Sequence, residues 1–132
     1  MTSPFDTELA NTTRGLLFRS GVADYLVASD IPIDGTKTLG RRKMSEALLE
    51  DRPHSDLVGI PGWVVNTRSS ALKLIASGAD EAQRDAQHDG ARYSATVWQR
   101  AGAKLGDALV VMPLKDFSDL LRRDLDRQAD ET

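Results

Sequence analysis

The spacing of apolar residues predicts a helix at the start of the chain. Over residues 4–29 apolar side chains recur every three or four positions, at Phe18, Val22, Tyr25 and Leu26. Pro4 suits the first turn of such a helix, because its missing N–H is not needed there. Residues 31–40 are then expected to form a short strand or hairpin, and residues 41–51 a short helix or a loop.

The middle of the chain predicts two adjacent strands followed by a second helix. Apolar residues 57–60 and Trp63–Val65 flank the turn signal Pro61-Gly62. Ser69 or Ser70 is expected to cap the next helix. That helix has an apolar stripe that ends at Gly90 and comprises Leu72, Ile75, Ala79, Ala82 and Ala86.

The last third predicts two more strands and a third helix. Residues 93–98 alternate in character as a strand does, and residues 108–112 are continuously apolar, as in a central strand buried on both sides. A helix is predicted over residues 114–125, with a core stripe formed by Phe117, Leu120, Leu121 and Leu125. The pattern as a whole predicts one α/β domain over residues 1–125, a mixed central sheet flanked by helices, with a polar tail at 126–132.

Composition narrows the class of protein without identifying it. The 132 residues include no cysteine, which excludes disulfides and cysteine-based zinc sites. No apolar run approaches the roughly 20 residues of a membrane helix, so a cytoplasmic protein with no membrane partner is expected. The net charge of −3 counts against broad nucleic-acid binding. A local basic cluster, expected to be a solvated loop face, is formed by Lys37, Arg41, Arg42, Lys43 and Arg52.

Three segments together resemble a known family. They are residues 14–18 (Arg-Gly-Leu-Leu-Phe), residues 55–63 (Ser-Asp-Leu-Val-Gly-Ile-Pro-Gly-Trp) and residues 110–114 (Val-Val-Met-Pro-Leu). In order and spacing they resemble the small Holliday-junction resolvase-like nucleases of phages, within the PD-(D/E)XK superfamily. The resemblance covers about residues 12–122 and implies a restriction-endonuclease-like fold and a homodimer.

The residues that the family uses for catalysis are mostly replaced in this chain. The family has a glutamate on the first helix, an aspartate on the first hairpin strand and Glu-x-Lys on the second, and the hairpin carboxylates hold Mg²⁺. The matching positions here are Arg19, Asp56, Asn66 and Arg68, so only Asp56 is retained. An amide carries no charge to hold a hard cation, and arginine suits binding of phosphate better than positioning of water.

The lead hypothesis is therefore a degenerate member of the family, without cofactor, that binds a DNA structure or a protein partner and does not hydrolyse DNA. Its expected anion contacts are Arg19, Arg68, Arg100, Arg41, Arg42 and Lys43. The alternative is an active endonuclease with Mg²⁺ at Asp56 and a second carboxylate from Glu46, Glu50, Asp80 or Glu81. A third reading is a protein-binding module that uses the helix bearing Leu72 and Ile75.

Three aromatic side chains have an open role. His54 lies two residues before Asp56, where it suits a general acid or a phosphate contact, although an exposed loop histidine is the commoner case. His88 lies near the C-terminus of the second helix and is assigned no chemistry. Trp98 ends a strand, where it suits stacking on nucleic acid, core packing or a dimer contact.

Overall fold

The computed structural model describes residues 4–36 and 53–131, with side chains from Thr13 onward. The helix or loop predicted at residues 41–51 lies outside the described residues. So do five of the candidate site residues, Arg41, Arg42, Lys43, Glu46 and Glu50. Among the helices that are described, none is long and apolar enough to cross a membrane.

Three helices flank a five-stranded sheet, which confirms the predicted α/β fold with a mixed sheet. The elements in chain order are α1 (Pro4–Ala28), β1 (Gly35–Thr36), β2 (Leu57–Val58), β3 (Trp63–Arg68), α2 (Ile75–Asp89), β4 (Tyr93–Trp98), β5 (Leu109–Val111) and α3 (Leu114–Asp130). The strands lie in sequence order across the sheet. β3 and β4 are parallel, and the other neighbouring pairs are antiparallel. The restriction-endonuclease-like relationship of this fold stays a prediction.

The β3–α2–β4 unit sets the geometry of the sheet. Parallel strands need a crossover connection, and α2 supplies it. The register pairs Trp63 with Tyr93 at one end and Arg68 with Trp98 at the other. The carboxyl ends of β3 and β4 therefore lie side by side at the same end of the sheet.

Side chains of β3 point alternately to α1 and to α2, because successive residues of a strand face opposite sides of a sheet. Val65 packs in a buried apolar cluster with Phe18 and Val22 of α1. Asn66 instead bonds to Asp85 of α2. The sheet thus has α1 on one face and α2 on the other, and both faces of β3 are largely buried.

Trp98 belongs to the core between the sheet and α2. Its side chain is 0% exposed, and its Nε1 donates a hydrogen bond of 2.8 Å to the Ser70 carbonyl oxygen. The ring lies against Gly78, where an added Cβ would come within 2.6 Å of Trp98 Cζ3. Stacking of Trp98 on nucleic acid is therefore excluded in this conformation.

The strand predicted at residues 108–112 is present, but its predicted place at the centre of the sheet is wrong. β5 lies at the edge of the sheet and pairs with β4. Val110 is 60% exposed, and Leu109 is also exposed. An uninterrupted apolar run is compatible with a buried strand, but the run itself carries no information about which neighbours the strand has.

The third helix also differs from its prediction. It continues to Asp130, so residues 126–130 are helical where a polar tail was expected. The predicted core stripe is wrong, since Phe117, Leu121 and Leu125 are all exposed. Its buried residue is Asp116, whose carboxylate accepts a hydrogen bond from the Ser94 N–H of β4 at 3.2 Å.

Two smaller predictions at helix surfaces fail as well. Neither Ser69 nor Ser70 caps a helix, because Leu72–Leu74 forms a 3₁₀ turn before α2 and the residue before that turn, Ala71, makes no side-chain cap. Tyr25 of α1 is exposed, whereas Phe18 and Val22 of the same predicted stripe are buried. The predicted C-terminus of α2 is confirmed, with Gly90 in the left-handed conformation at φ 67°.

Candidate functional site

Asp56 is a buried carboxylate at the start of β2, and it lies beside two arginines. Its Oδ2 atom accepts a 2.9 Å hydrogen bond from the Thr67 N–H, and it lies 3.4 Å from Arg68 Nη1 and 3.5 Å from Arg19 Nη2. A carboxylate that is only 1% exposed needs such partners, because removal from water is costly for an unpaired charge. The structure therefore brings together the side chains of Arg19, Asp56 and Arg68.

Arg68 joins Asp56 to a second carboxylate, that of Glu81 on α2. One terminal nitrogen of its guanidinium bonds Asp56, and the other forms an ion pair with Glu81 Oε2. Glu81 is one of the four acids considered as replacements for the missing carboxylate, whereas the neighbouring Asp80 is exposed. The positive charge between the carboxylates of Asp56 and Glu81 is thus that of the Arg68 guanidinium.

Arg19 completes this group from the opposite face of the sheet. Its Nε donates to Thr67 Oγ1 at 3.3 Å, in addition to its ion pair with Asp56. Two guanidinium groups and two carboxylates then lie in one connected cluster, which is neutral overall. We refer to Arg19, Asp56, Arg68 and Glu81 as the arginine–carboxylate cluster.

Asn66 has a structural role that a carboxylate cannot fill. It is completely buried, its Oδ1 accepts a 3.0 Å hydrogen bond from the Asp56 N–H, and its Nδ2 donates a 2.8 Å bond to Asp85 Oδ2. An amide offers the acceptor and the donor that this arrangement needs, whereas an ionised carboxylate offers acceptors alone. Within the part of the chain that the structure describes, no buried side-chain nitrogen or oxygen lacks a hydrogen-bond partner.

A second polar group lies at the C-terminal end of α2. Asp85 Oδ1 is 3.5 Å from His54 Nδ1, and the His54 ring stacks on the His88 ring with centroids 3.4 Å apart and planes within 1°. His88 Nδ1 in turn lies 2.7 Å from Asp89 Oδ1. His54 is therefore a partly buried residue in a stack, which corrects the expectation of an exposed loop histidine.

The Asp89 carboxylate ties the segment before β2 to α2. It accepts hydrogen bonds from the backbone N–H groups of His54, at 2.8 and 2.9 Å, and of Ser55, at 3.1 Å. Burial acts to raise the pKa of Asp89, but hydrogen bonds from His88, His54 and Ser55 and the charge of His54 outweigh it, so the pKa lies below its usual value. Asp89 is thus held as a carboxylate.

The sequence interpretation did not find Asp85 and Asp89. The available signal was the position of Asp85, three residues before His88 and four before Asp89, since residues three and four apart share one face of a helix. Their proximity to His54 has no signal in the sequence, because 35 residues separate His54 from Asp89.

A pocket of about 380 Å³ adjoins the histidine pair. Its wall combines the apolar side chains of Leu57, Ile60 and Trp63 with the polar side chains of Ser55, His88 and Asp89. Trp63 begins β3 and Arg68 ends it. The pocket therefore lies at the end of the sheet opposite to the carboxyl ends of β3 and β4.

Basic residues gather at those carboxyl ends. The Gln99 N–H donates to the Arg68 carbonyl oxygen at 2.9 Å, so Arg100 follows directly beside the end of β3. On α1, an added Cβ at Gly15 would lie 3.6 Å from Ser69 Oγ, which places Arg14 at the same end. Arg14 and Arg100 are exposed, and we refer to Arg14, Arg68 and Arg100 as the strand-end surface.

The two groups differ in the chemistry they allow. The arginine–carboxylate cluster is neutral and its acids are already paired, whereas the histidine pair presents imidazole nitrogens next to carboxylates beside an open pocket.

In comparisons with known proteins, no protein-family model, no curated protein and no solved structure matches this chain.

Proposed function

We propose that this chain is a non-hydrolysing relative of the Holliday-junction resolvase-like nucleases that binds branched DNA through the strand-end surface. The observation that carries the proposal is the position of the Arg68 guanidinium, between the carboxylates of Asp56 and Glu81. An active enzyme of that family needs a divalent cation between two acids.

Binding of Mg²⁺ at Asp56 would require Arg68 to leave both of its carboxylate partners. The released guanidinium would then need other partners, and Asp56 would lose one of the two arginines beside it. Mg²⁺ demands a nearly ideal octahedron of oxygen ligands about 2.1 Å away. Asn66 is not placed to supply one of them, because it is completely buried and its oxygen is held by the Asp56 N–H.

The strand-end surface suits phosphate. Arginine presents a planar set of donors that matches phosphate oxygens, and the ligands of α/β proteins commonly bind at the carboxyl ends of parallel strands. The net charge of −3 makes any such binding local and sensitive to salt. Two phosphate contacts, from Arg14 and Arg100, predict that affinity falls about twelvefold between about 50 and 200 mM salt, from a slope of about −0.9 per contact. Arg68 is not counted, because its guanidinium stays between Asp56 and Glu81.

Fluorescence anisotropy with labelled DNA tests this proposal. The wild-type chain is titrated into a four-way junction and into linear duplex of equal length at several salt concentrations. Tighter binding to the junction is expected, and Arg100→Ala is expected to weaken it and to reduce the salt slope by about one contact. Arg122→Ala is the matched control, because Arg122 is an exposed arginine on α3 that lies 3.8 Å from Asp126.

The outcomes separate the alternatives. Equal losses in Arg100→Ala and Arg122→Ala, or no binding to either DNA at low salt, would refute the proposed surface. Cleavage of the junction in Mg²⁺ or Mn²⁺ by the wild type, lost in Asp56→Ala and in the milder Glu81→Gln, would establish the active endonuclease instead. Neither binding nor cleavage would favour the protein-binding module, for which Leu72 offers an exposed apolar side chain.

The expected homodimer is part of the proposal. A four-way junction has two-fold symmetry, which a two-fold dimer matches by presenting the same surface twice. Sedimentation equilibrium of the free chain, and of its complex with the junction, measures the number of chains. One chain per junction in the complex would contradict the dimer and leave the surface itself untouched.

A further inference from the structure

We propose a Zn²⁺ site formed by His54, His88 and Asp89, beside the pocket at the amino end of β3. One donor atom from each of these residues lies within 4.8 Å of the other two. The site is separate from the arginine–carboxylate cluster and does not rest on the proposed DNA binding.

The fold brings the three donors together without help from a metal. Asp89 accepts hydrogen bonds from the backbone N–H groups of His54 and Ser55, so its carboxylate and the His54 ring are held at the same place. His88 precedes Asp89 at the end of α2. Because the backbone already holds these residues close to one another, binding of the ion requires a movement of side chains and no rearrangement of the backbone.

Asp85 adds the supporting contact that zinc histidines usually have. Its Oδ1 lies 3.5 Å from His54 Nδ1, and its Oδ2 is held by Asn66 Nδ2 at 2.8 Å. A carboxylate at one ring nitrogen orients a ligating histidine and directs the other nitrogen to the metal. His54 Nε2 is therefore the atom that we assign as ligand.

The stacked rings define the movement that binding requires. A metal lies near the plane of each imidazole that binds it, and two parallel rings 3.4 Å apart have no common plane. Tetrahedral zinc with bonds of about 2.0–2.2 Å also needs donors about 3.3 Å apart, which is closer than 4.8 Å. The side chain that turns is that of His88, because it is the more exposed of the two, at 31% against 21%.

Two imidazoles and one carboxylate favour zinc over magnesium or calcium, which prefer oxygen ligands alone. Three protein ligands leave the fourth position to water or to a bound molecule. His88 and Asp89 also line the pocket of about 380 Å³, together with Ser55 and Trp63. A small molecule with an anionic or carbonyl oxygen would thus contact the metal from that pocket.

Isothermal titration of the untagged chain with ZnCl₂ tests the site. One ion per chain is expected, with a rise in the thermal unfolding temperature. Co²⁺ is expected to give the strong visible absorption of a tetrahedral site. His88→Ala should weaken binding by more than about tenfold, and His54→Ala with His88→Ala should abolish it.

Asp80→Ala is the matched control, because Asp80 is an exposed acid on the same helix. Its zinc affinity should equal that of the wild type, and circular dichroism establishes that each variant is folded. Absence of saturable binding to the wild type would overturn the proposal. So would binding by the folded double variant with unchanged affinity.

Discussion

Replacing Asn66 by aspartate introduces an acid where the resemblance to the nucleases implies one, and it is expected to destabilise the chain. The variant keeps an oxygen for the Asp56 N–H but loses the amide donor to Asp85 Oδ2, which lies 2.8 Å from Asn66 Nδ2. Two carboxyl groups would then meet at a position that is completely buried.

The stability lost in Asn66→Asp depends on whether the introduced carboxyl is ionised or protonated beside Asp85. Two ionised carboxylates about 3 Å apart repel by about 6 kcal/mol at an effective dielectric constant of about 20. Keeping a proton on the introduced carboxyl preserves the hydrogen bond and costs about 1.36 kcal/mol for each pH unit above its ordinary pKa of about 3.9. At pH 7 the protonated form is the cheaper, and the loss of stability is about 4 kcal/mol.

The loss of stability in Asn66→Asp should increase as the pH rises. The introduced carboxyl has a pKa raised in the folded state, so its penalty is small near pH 4 and grows as the pH rises towards that folded pKa. Urea unfolding of the wild type and Asn66→Asp between about pH 4.5 and 7 measures this dependence. Asn66→Ala is the control, because it removes both hydrogen bonds without adding a titrating group.

A loss below about 1 kcal/mol at pH 7 would refute this reasoning, as would equal pH dependence of Asn66→Asp and Asn66→Ala. The variant should also fail to cleave a DNA junction in Mg²⁺. The Arg68 guanidinium remains between Asp56 and Glu81, so the added carboxylate does not rebuild a metal site.

Three further results are expected from urea unfolding. Gly78→Ala should cost about 1–3 kcal/mol, because its Cβ would lie 2.6 Å from Trp98 Cζ3, whereas Gly35→Ala meets nothing within 4 Å; equal effects would contradict the close packing. Asp89→Asn should lose stability at neutral pH. Burial raises the Asp89 pKa, but the hydrogen bonds lower it by more, so the net pKa is below its usual value. The difference in unfolding free energy between the wild type and Asp89→Asn should therefore shrink as the pH falls through that lowered pKa. A difference that does not change with pH would count against these contacts. Leu121→Ser should change stability by less than about 0.5 kcal/mol, since Leu121 is 48% exposed, and a core-sized loss would show that the α3 stripe is covered.

Local signals in the sequence were sufficient for most elements of the fold. Glycine beyond an apolar stripe ends α2 at Gly90, and the alternation over residues 93–98 matches β4. Such features depend on backbone geometry and on side chains a few positions apart. They therefore do not depend on how the rest of the chain packs.

Burial was harder to predict, because it depends on which elements become neighbours. The apolar residues of β5 and α3 have the pattern of core residues, yet Val110 and Phe117 are exposed. β5 also lies at the edge of the sheet and not at its centre. Asp116 and Asp85 are buried despite their charge, since each bonds a group on the sheet. Pattern alone identifies apolar faces and does not say what covers them.

The sequence by itself determined the two neighbouring strands near Asp56, Asn66 and Arg68, and which of these three side chains carry a charge. Only the tertiary structure decided what those residues do. It placed Glu81 against Arg68 and Asp85 against Asn66, and it stacked His54 on His88. The physical reason is that a buried charge or amide is defined by its partners, and these partners come from α2, 13 to 34 residues further along the chain.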